Sequence, residues 1–207
     1  MKFILSIPSM FFSSSKQLMS FFNNFLRLSD KPGHANQKCS GNDALKIVLK
    51  KELDIPTVDV QDETAYLDGG DILFTGREFF VGLTERTNEG GAVAIAEAFP
   101  EYPCVPIKVS GDKCLKYYIS MAGPSLLAVS GSEYSQDILK RIERVASFSY
   151  QTLTLDEEFA ANMLYINGHL IHRSPLEIPE SHRIIKSKID TPSRNVDISE
   201  ISRFSRA

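Results

Sequence analysis

Between residues 42 and 189 the apolar pattern runs through the same order of elements more than once, and this recurrence limits the fold more than composition does. Asn42 and Asp43 are placed to cap a helix whose Leu45, Val48 and Leu49 share a face and which ends near Leu53. Val58 and Val60 then begin an extended stretch. Strands at Ile72–Phe74 and Phe79–Leu83 flank a turn at residues 75–78, which reads as a hairpin. Asn88 caps a helix carrying Ala92, Ile95, Ala96 and Phe99, stopped by Pro100 and Pro103. The order then returns: a strand at 105–109, a loop, a strand at 125–129, and a helix with Ile138, Leu139, Ile142, Val145 and Ala146 inward. A third round gives a short helix over 156–163, paired strands at 164–166 and 169–172, and a helix opening at Pro179-Glu180 with Ile184 and Ile185 inward. The unit is strand, strand, helix, strand, at a spacing too loose for a solenoid. It predicts one α/β body of similar modules, with no second domain.

Composition adds exclusions. Charged residues make up 24% of the 207 and the formal net charge is −3, which leaves no basic bias of the kind nucleic-acid partners require. Hydrophobic residues make up 43%, enough for an ordinary core. Cys39, Cys104 and Cys114 are an odd number at irregular spacing, unlike a zinc ribbon or a disulfide framework, so a reduced, cytoplasmic protein is expected. Residues 1–30 differ from the rest. Phe3-Ile4-Leu5 follows Lys2 as in a secretory signal, the lesser alternative, but Pro8 and Ser13-Ser14-Ser15 interrupt the apolar run. Lys16, Gln17 and Asn23 break the ~20 apolar residues a membrane helix needs. Residues 1–30 are therefore expected to be a divergent, poorly structured extension, and 31–207 the domain.

The most distinctive segment is Leu67-Asp68-Gly69-Gly70-Asp71, followed by Ile72 to Leu83. Two glycines between two carboxylates allow a tight bend that fixes both side chains before a strand. Taken alone it is also compatible with a turn carrying solvated acids; a calcium loop is excluded, because the alternating ligand spacing is missing. Together with Thr84-Glu85-Arg86-Thr87-Asn88, Ser120-Met121-Ala122-Gly123-Pro124 and His172-Arg173-Ser174-Pro175, this segment closely resembles the dimethylarginine dimethylaminohydrolase family. The resemblance runs from about Asp43 to Ile189, and more faintly back to Lys31-Pro32-Gly33 and forward to Phe204.

The resemblance implies an α/β propeller (pentein) of ββαβ modules, of which this chain covers a part. It implies hydrolysis of N-methylated arginine to citrulline and a methylamine, through a cysteine nucleophile and a histidine that shuttles protons, without a cofactor or metal. The substrate is a small molecule, the family setting is cytosolic control of nitric oxide synthesis, and no nucleic acid or membrane partner is implied. Carried over position by position, Asp68 matches the carboxylate that orients the histidine, and Arg86 the arginine that grips the substrate carboxylate. Where the family has its histidine before a Leu-Lys pair, this chain reads Cys114-Leu115-Lys116. A thiol with a pKa of ~8.5 cannot serve as a cationic acid and then a base near neutrality. Such a loss is expected to cost on the order of 10² to 10⁴ in rate. Cys114 is accordingly expected as an inert buried thiol.

The family nucleophile follows a stretch similar to Asp197 to Phe204 and has no counterpart before Ala207. After Pro32-Gly33 the arginines of the family read Gln37-Lys38-Cys39, leaving Lys38 as the charge. A non-catalytic relative that binds arginine-like ligands, or a truncated one, is therefore the alternative to an active hydrolase. His169 and His172, three apart on a strand, face opposite sides and cannot share a metal; both are expected at the surface or as caps. Tyr117 and Tyr118 are expected in the core or a pocket wall, and Arg194, Arg203 and Arg206 in a solvated tail.

Overall fold

The structure, a computed structural model, describes residues 4–6, 51, 57–60, 62 and 64–199. Apart from Lys51, the helix expected over residues 42–53 lies outside those residues, as do the Lys38 site, Arg203 and Arg206. Strand β1 (Ile4–Ser6) pairs antiparallel with β2 (Thr57–Asp59). Three consecutive ββαβ modules follow. Module A comprises β3 (Ile72–Phe74), β4 (Phe79–Leu83), α1 (Glu89–Ala98) and β5 (Cys104–Lys108). The short helix α2 (Leu115–Tyr118) leads into module B, made of β6 (Ile119–Gly123), β7 (Leu126–Ser130), α3 (Glu133–Val145) and β8 (Gln151–Leu155). Module C comprises β9 (Leu164–Ile166), β10 (His169–Arg173), α4 (Pro179–Lys188) and β11 (Ser193–Val196).

In each module the first two strands pair antiparallel through a hairpin, and the helix returns the chain so that the third strand lies parallel to the second. The second strand is therefore central. In β4 and β7 this reads as almost continuous burial, because both faces of the strand are covered. The β9–β10 hairpin turns on Asn167-Gly168, with φ of +50° and +74°, the left-handed pair that a two-residue turn of this hand demands. Helix α1 is capped as expected: the Asn88 side chain accepts from Gly91 N–H at 3.0 Å, and also from Tyr66 N–H at 2.9 Å. Helix α3 buries Ile138, Leu139 and Ile142, but leaves Val145 half exposed at its end.

Polar ties stitch the modules. Glu78, fully buried at the module A hairpin, accepts from Tyr150 Oη at 2.7 Å and from Ser147 N–H at 3.0 Å, both of module B. Glu157, after β8, accepts from the first amides of α4, Glu180 N–H at 3.0 Å and Ser181 N–H at 2.9 Å, and from the Ser181 hydroxyl. These bonds hold its carboxyl below the usual range although burial acts the other way.

Three expectations need correction. The segment placed as a loop between the strands at 105–109 and 125–129 contains α2 and β6, held by contacts distant in sequence. The helix over 156–163 is only a 3-10 turn, Glu158–Ala161. Arg194 stands on the exposed edge strand β11 rather than in a tail.

Candidate functional site

The site grows from the seam between modules A and B. Asp68 is buried and bends the chain into the 3-10 turn Gly69–Asp71, its Oδ1 accepting from Gly70 N–H at 2.8 Å. Its own N–H donates to Thr87 Oγ1 at 2.9 Å. That hydroxyl donates to Asp71 Oδ2 at 2.8 Å, as does the Thr84 hydroxyl at 2.7 Å. Asp71 Oδ1 accepts from Leu115 N–H at 2.9 Å, at the start of α2. The second carboxylate of the Asp-Gly-Gly-Asp segment thus fixes the helix on which Cys114 is the N-terminal cap residue.

Between Thr84 and Thr87 the backbone closes a tight turn, Thr84 N–H to Thr87 O at 3.0 Å, and lifts Arg86 to its tip. Arg86 Nη1 lies 3.6 Å from Asp68 Oδ2, with the guanidinium still 42% exposed, which leaves donors free for a ligand. Arg86, Thr84, Glu85, Cys114 and the 111–113 loop line a cavity of about 120 Å3. Gly70 makes the close approach possible: a Cβ there would stand 2.8 Å from Cys114 Sγ and 3.2 Å from Asp68 Oδ1.

The structure therefore brings Asp68, Arg86 and Cys114 into one site. Cys114 is half-buried and forms part of the cavity wall, not the wholly buried thiol expected. Burial, and then the Asp71 and Asp68 carboxylates, push its thiol up, so it stands neutral at physiological pH. Burial also raises the Asp71 carboxyl, against the bonds from Thr84, Leu115 and Thr87. It pulls the ammonium of neighbouring Lys116 down. Cys104, the other described free thiol, is pushed up to about 11 by burial on β5.

Asp68 has no histidine among its described hydrogen-bond partners; the described histidines are His169, His172 and His182, all in module C. His172 is buried at 3% exposure against the His182 ring, so the surface or capping place expected for it does not hold; His169 is exposed, on the opposite face. Among the described residues no three His, Cys, Asp or Glu side chains cluster as metal ligands. No helix among them is long and apolar enough to cross a membrane. Tyr118 is core and Tyr117 packs on it at 5.2 Å. Sequence reasoning left Asp71, Thr84, Thr87 and Lys116 without roles. The side-chain repertoire of Thr84, Thr87 and Asp71 was the available signal: two hydroxyls a turn apart answering a carboxylate.

No family model matches the chain. It is 32% identical to DDAH2 of Homo sapiens over 160 residues, which cover 74% of this chain and 56% of that protein. DDAH2 of Bos taurus is 31% identical over the same share of each. The chain thus spans a little over half the length of the curated relatives it matches. Among solved structures, dimethylarginine dimethylaminohydrolase from Pseudomonas aeruginosa, complexed with citrulline, superposes with a TM-score of 0.53 at 19% identity. That match covers 68% of this chain and 52% of the other. A substrate-bound agmatine deiminase from C. jejuni gives 0.56 at 16% identity, over 88% and 62% of the two chains. The three ββαβ modules are those of the α/β propeller these structures share, and the chain belongs to the dimethylarginine dimethylaminohydrolase-like members of the pentein superfamily.

Proposed function

We propose that this chain binds arginine-like amino acids bearing a modified guanidine, such as methylated arginine or citrulline, at the Asp68–Arg86–Cys114 cavity, and that its hydrolytic turnover is impaired. Arg86 offers free, planar donors for the ligand carboxylate, and the carboxylates of Asp68 and Asp71, buried behind the cavity wall, add a negative field suited to a cation. The observation that carries the second half is Cys114. A neutral thiol stands next to Asp68, where guanidine hydrolysis calls for a group that donates a proton to the departing amine and then takes one from water. A thiol pushed up by burial and two carboxylates does neither near pH 7. Under the same reading the ligand comes from the cytosolic pool that bears on nitric oxide synthesis.

Two measurements test this. Calorimetric titration with asymmetric dimethylarginine and with citrulline should show saturable binding that Arg86→Ala removes; silence at millimolar ligand refutes the binding. Citrulline release from dimethylarginine should stay at background, and steady turnover by the unmodified chain refutes the impairment.

A further inference from the structure

A second cavity, of about 180 Å3, lies where α2 meets module C. Its wall is largely aliphatic: Met163, Leu164, Ile171, Val196 and Ile198 line it, and Lys116 reaches it from α2. His172 and Arg173 border it as well, but His172 Nε2 and Arg173 Nε are sealed behind the surface and meet nothing that enters.

The Lys116 amine differs from those two groups. It makes no hydrogen bond or salt bridge among the described residues, yet it is not one of the sealed polar atoms, so Nζ keeps open surface where the residue borders the cavity. The carboxylates that attract it are engaged elsewhere: Asp68 with Gly70 N–H and Arg86, Asp71 with Thr84, Thr87 and Leu115. Burial outweighs the pull of Cys114, Asp68 and Asp71 and draws the ammonium down, so more of this side chain stands as the free amine than in an exposed lysine. An anion docking there would bring a second charge out of water against an aliphatic wall. A carbonyl compound brings none, and a desolvated lysine in an apolar recess is the form of the residue that attacks carbonyl carbon.

We propose that Lys116 captures short aliphatic aldehydes as an imine, with the aldehyde's chain packed on Leu164, Ile171 and Val196. Nζ, as the free amine, adds its lone pair to the carbonyl carbon. The carbinolamine then releases the carbonyl oxygen together with the two protons Nζ brought, as one water, and a C=N bond remains. No oxidant or reductant takes part. No residue lines both cavities, and the capture does not depend on the function proposed for the Arg86 site.

Treating the full chain with 3-methylbutanal and cyanoborohydride, which reduces the imine to a stable secondary amine, and mapping the product by peptide mass spectrometry tests the assignment. At pH 7 Lys116 should be labelled about tenfold faster or more than exposed Lys140 and than Lys113, which is paired with Asp112 at the surface. Its rate should also level off at a lower pH than theirs. Glyoxylate, an aldehyde carrying a carboxylate in place of the aliphatic chain, should show no such preference. Val196→Asp sets a carboxylate on the cavity wall from an edge-strand position that is 44% exposed, where a polar side chain leaves folding intact. It should hold the amine protonated and slow the labelling of Lys116 several-fold, with Lys140 unchanged. Labelling of Lys116 no faster than Lys113 and Lys140 in folded protein overturns the proposal. So does an equal preference for Lys116 with glyoxylate, or an unchanged rate in Val196→Asp.

Discussion

Asp71 is the group on which the site turns, and removing it in two ways separates its bonds from its charge. Its carboxylate accepts three hydrogen bonds, at 2.7, 2.8 and 2.9 Å, from Thr84, Thr87 and Leu115. Thr84 is half exposed and water replaces its partner, but the Thr87 hydroxyl, at 1% exposure, and the Leu115 amide, at 0%, have no such recourse. Asp71→Ala strands those two donors, each costing about 1 to 3 kcal/mol, so a loss of about 4 kcal/mol is expected. Asp71→Asn keeps an oxygen for Leu115, and both threonines can rotate to accept from its amide, so about 1 kcal/mol or less is expected. The charge is read by pH. Because burial raises the Asp71 carboxyl above its value in the unfolded chain, the folded state binds that proton more tightly. The native protein should therefore gain stability relative to Asp71→Asn as pH falls from 7 through the raised value, with the gain complete below about 3.9, where the unfolded aspartate is also protonated. Urea unfolding followed by circular dichroism at several pH values measures both effects. A native-minus-Asn difference that is flat, or that shrinks on acidification, refutes the electrostatic reasoning. Equal costs for Ala and Asn refute the bonding.

Further outcomes follow from neighbouring contacts. Gly70→Ala places a Cβ 2.8 Å from Cys114 Sγ, so the thiol must move: thermal stability should fall by a few degrees, and alkylation of Cys114, followed with Cys39→Ser and Cys104→Ser in the background, should accelerate. In that background the unmodified site should alkylate slowly at pH 7 and faster only above the ordinary thiol range, whereas Asp71→Asn, which removes the nearby charge, should speed it at pH 8. Glu78→Ala frees Tyr150 Oη and Ser147 N–H at the seam and should cost about 1 to 3 kcal/mol, while Glu78→Gln should recover most of it. Gly168→Ala, at φ of +74°, should cost about 1 kcal/mol, with chemical denaturation as the measure.

What the sequence revealed was what is local. The Asn88 cap, the hairpin at residues 75–78 and, up to Ile142 but not Val145, the inward face of α3 are each written within one or two turns of chain and stand in the structure. Strand β8, Gln-Thr-Leu-Thr-Leu, is not among the expectations although its alternation, with Leu153 and Leu155 buried, is written in the chain, and its pairing with β7 completes module B. By contrast α2 is a single turn whose start is set by Asp71, 44 residues earlier, and its own polar flank, Gly111 to Lys113, reads as a loop. Strand β11, Ser-Arg-Asn-Val, is mostly exposed, and only its parallel register with β10 makes it a strand. The carried-over positions Asp68, Arg86 and Cys114 share one site because three threonine and amide bonds to Asp71 draw the segments together. That a buried hydroxyl network would organise them was not visible from spacing.

The bond from Leu115 N–H to Asp71 also has a kinetic meaning. It joins two repeats, so the cavity exists only while the repeats are docked, and opening the seam empties it. A ligand held there acts as a clamp across the joint: the exchange of the Leu115 amide with solvent should slow in proportion to ligand concentration over its dissociation constant, while amides inside β4 or β7, which open only with their own module, should barely respond. The occupancy of the site would thus be written in the breathing of a single backbone proton.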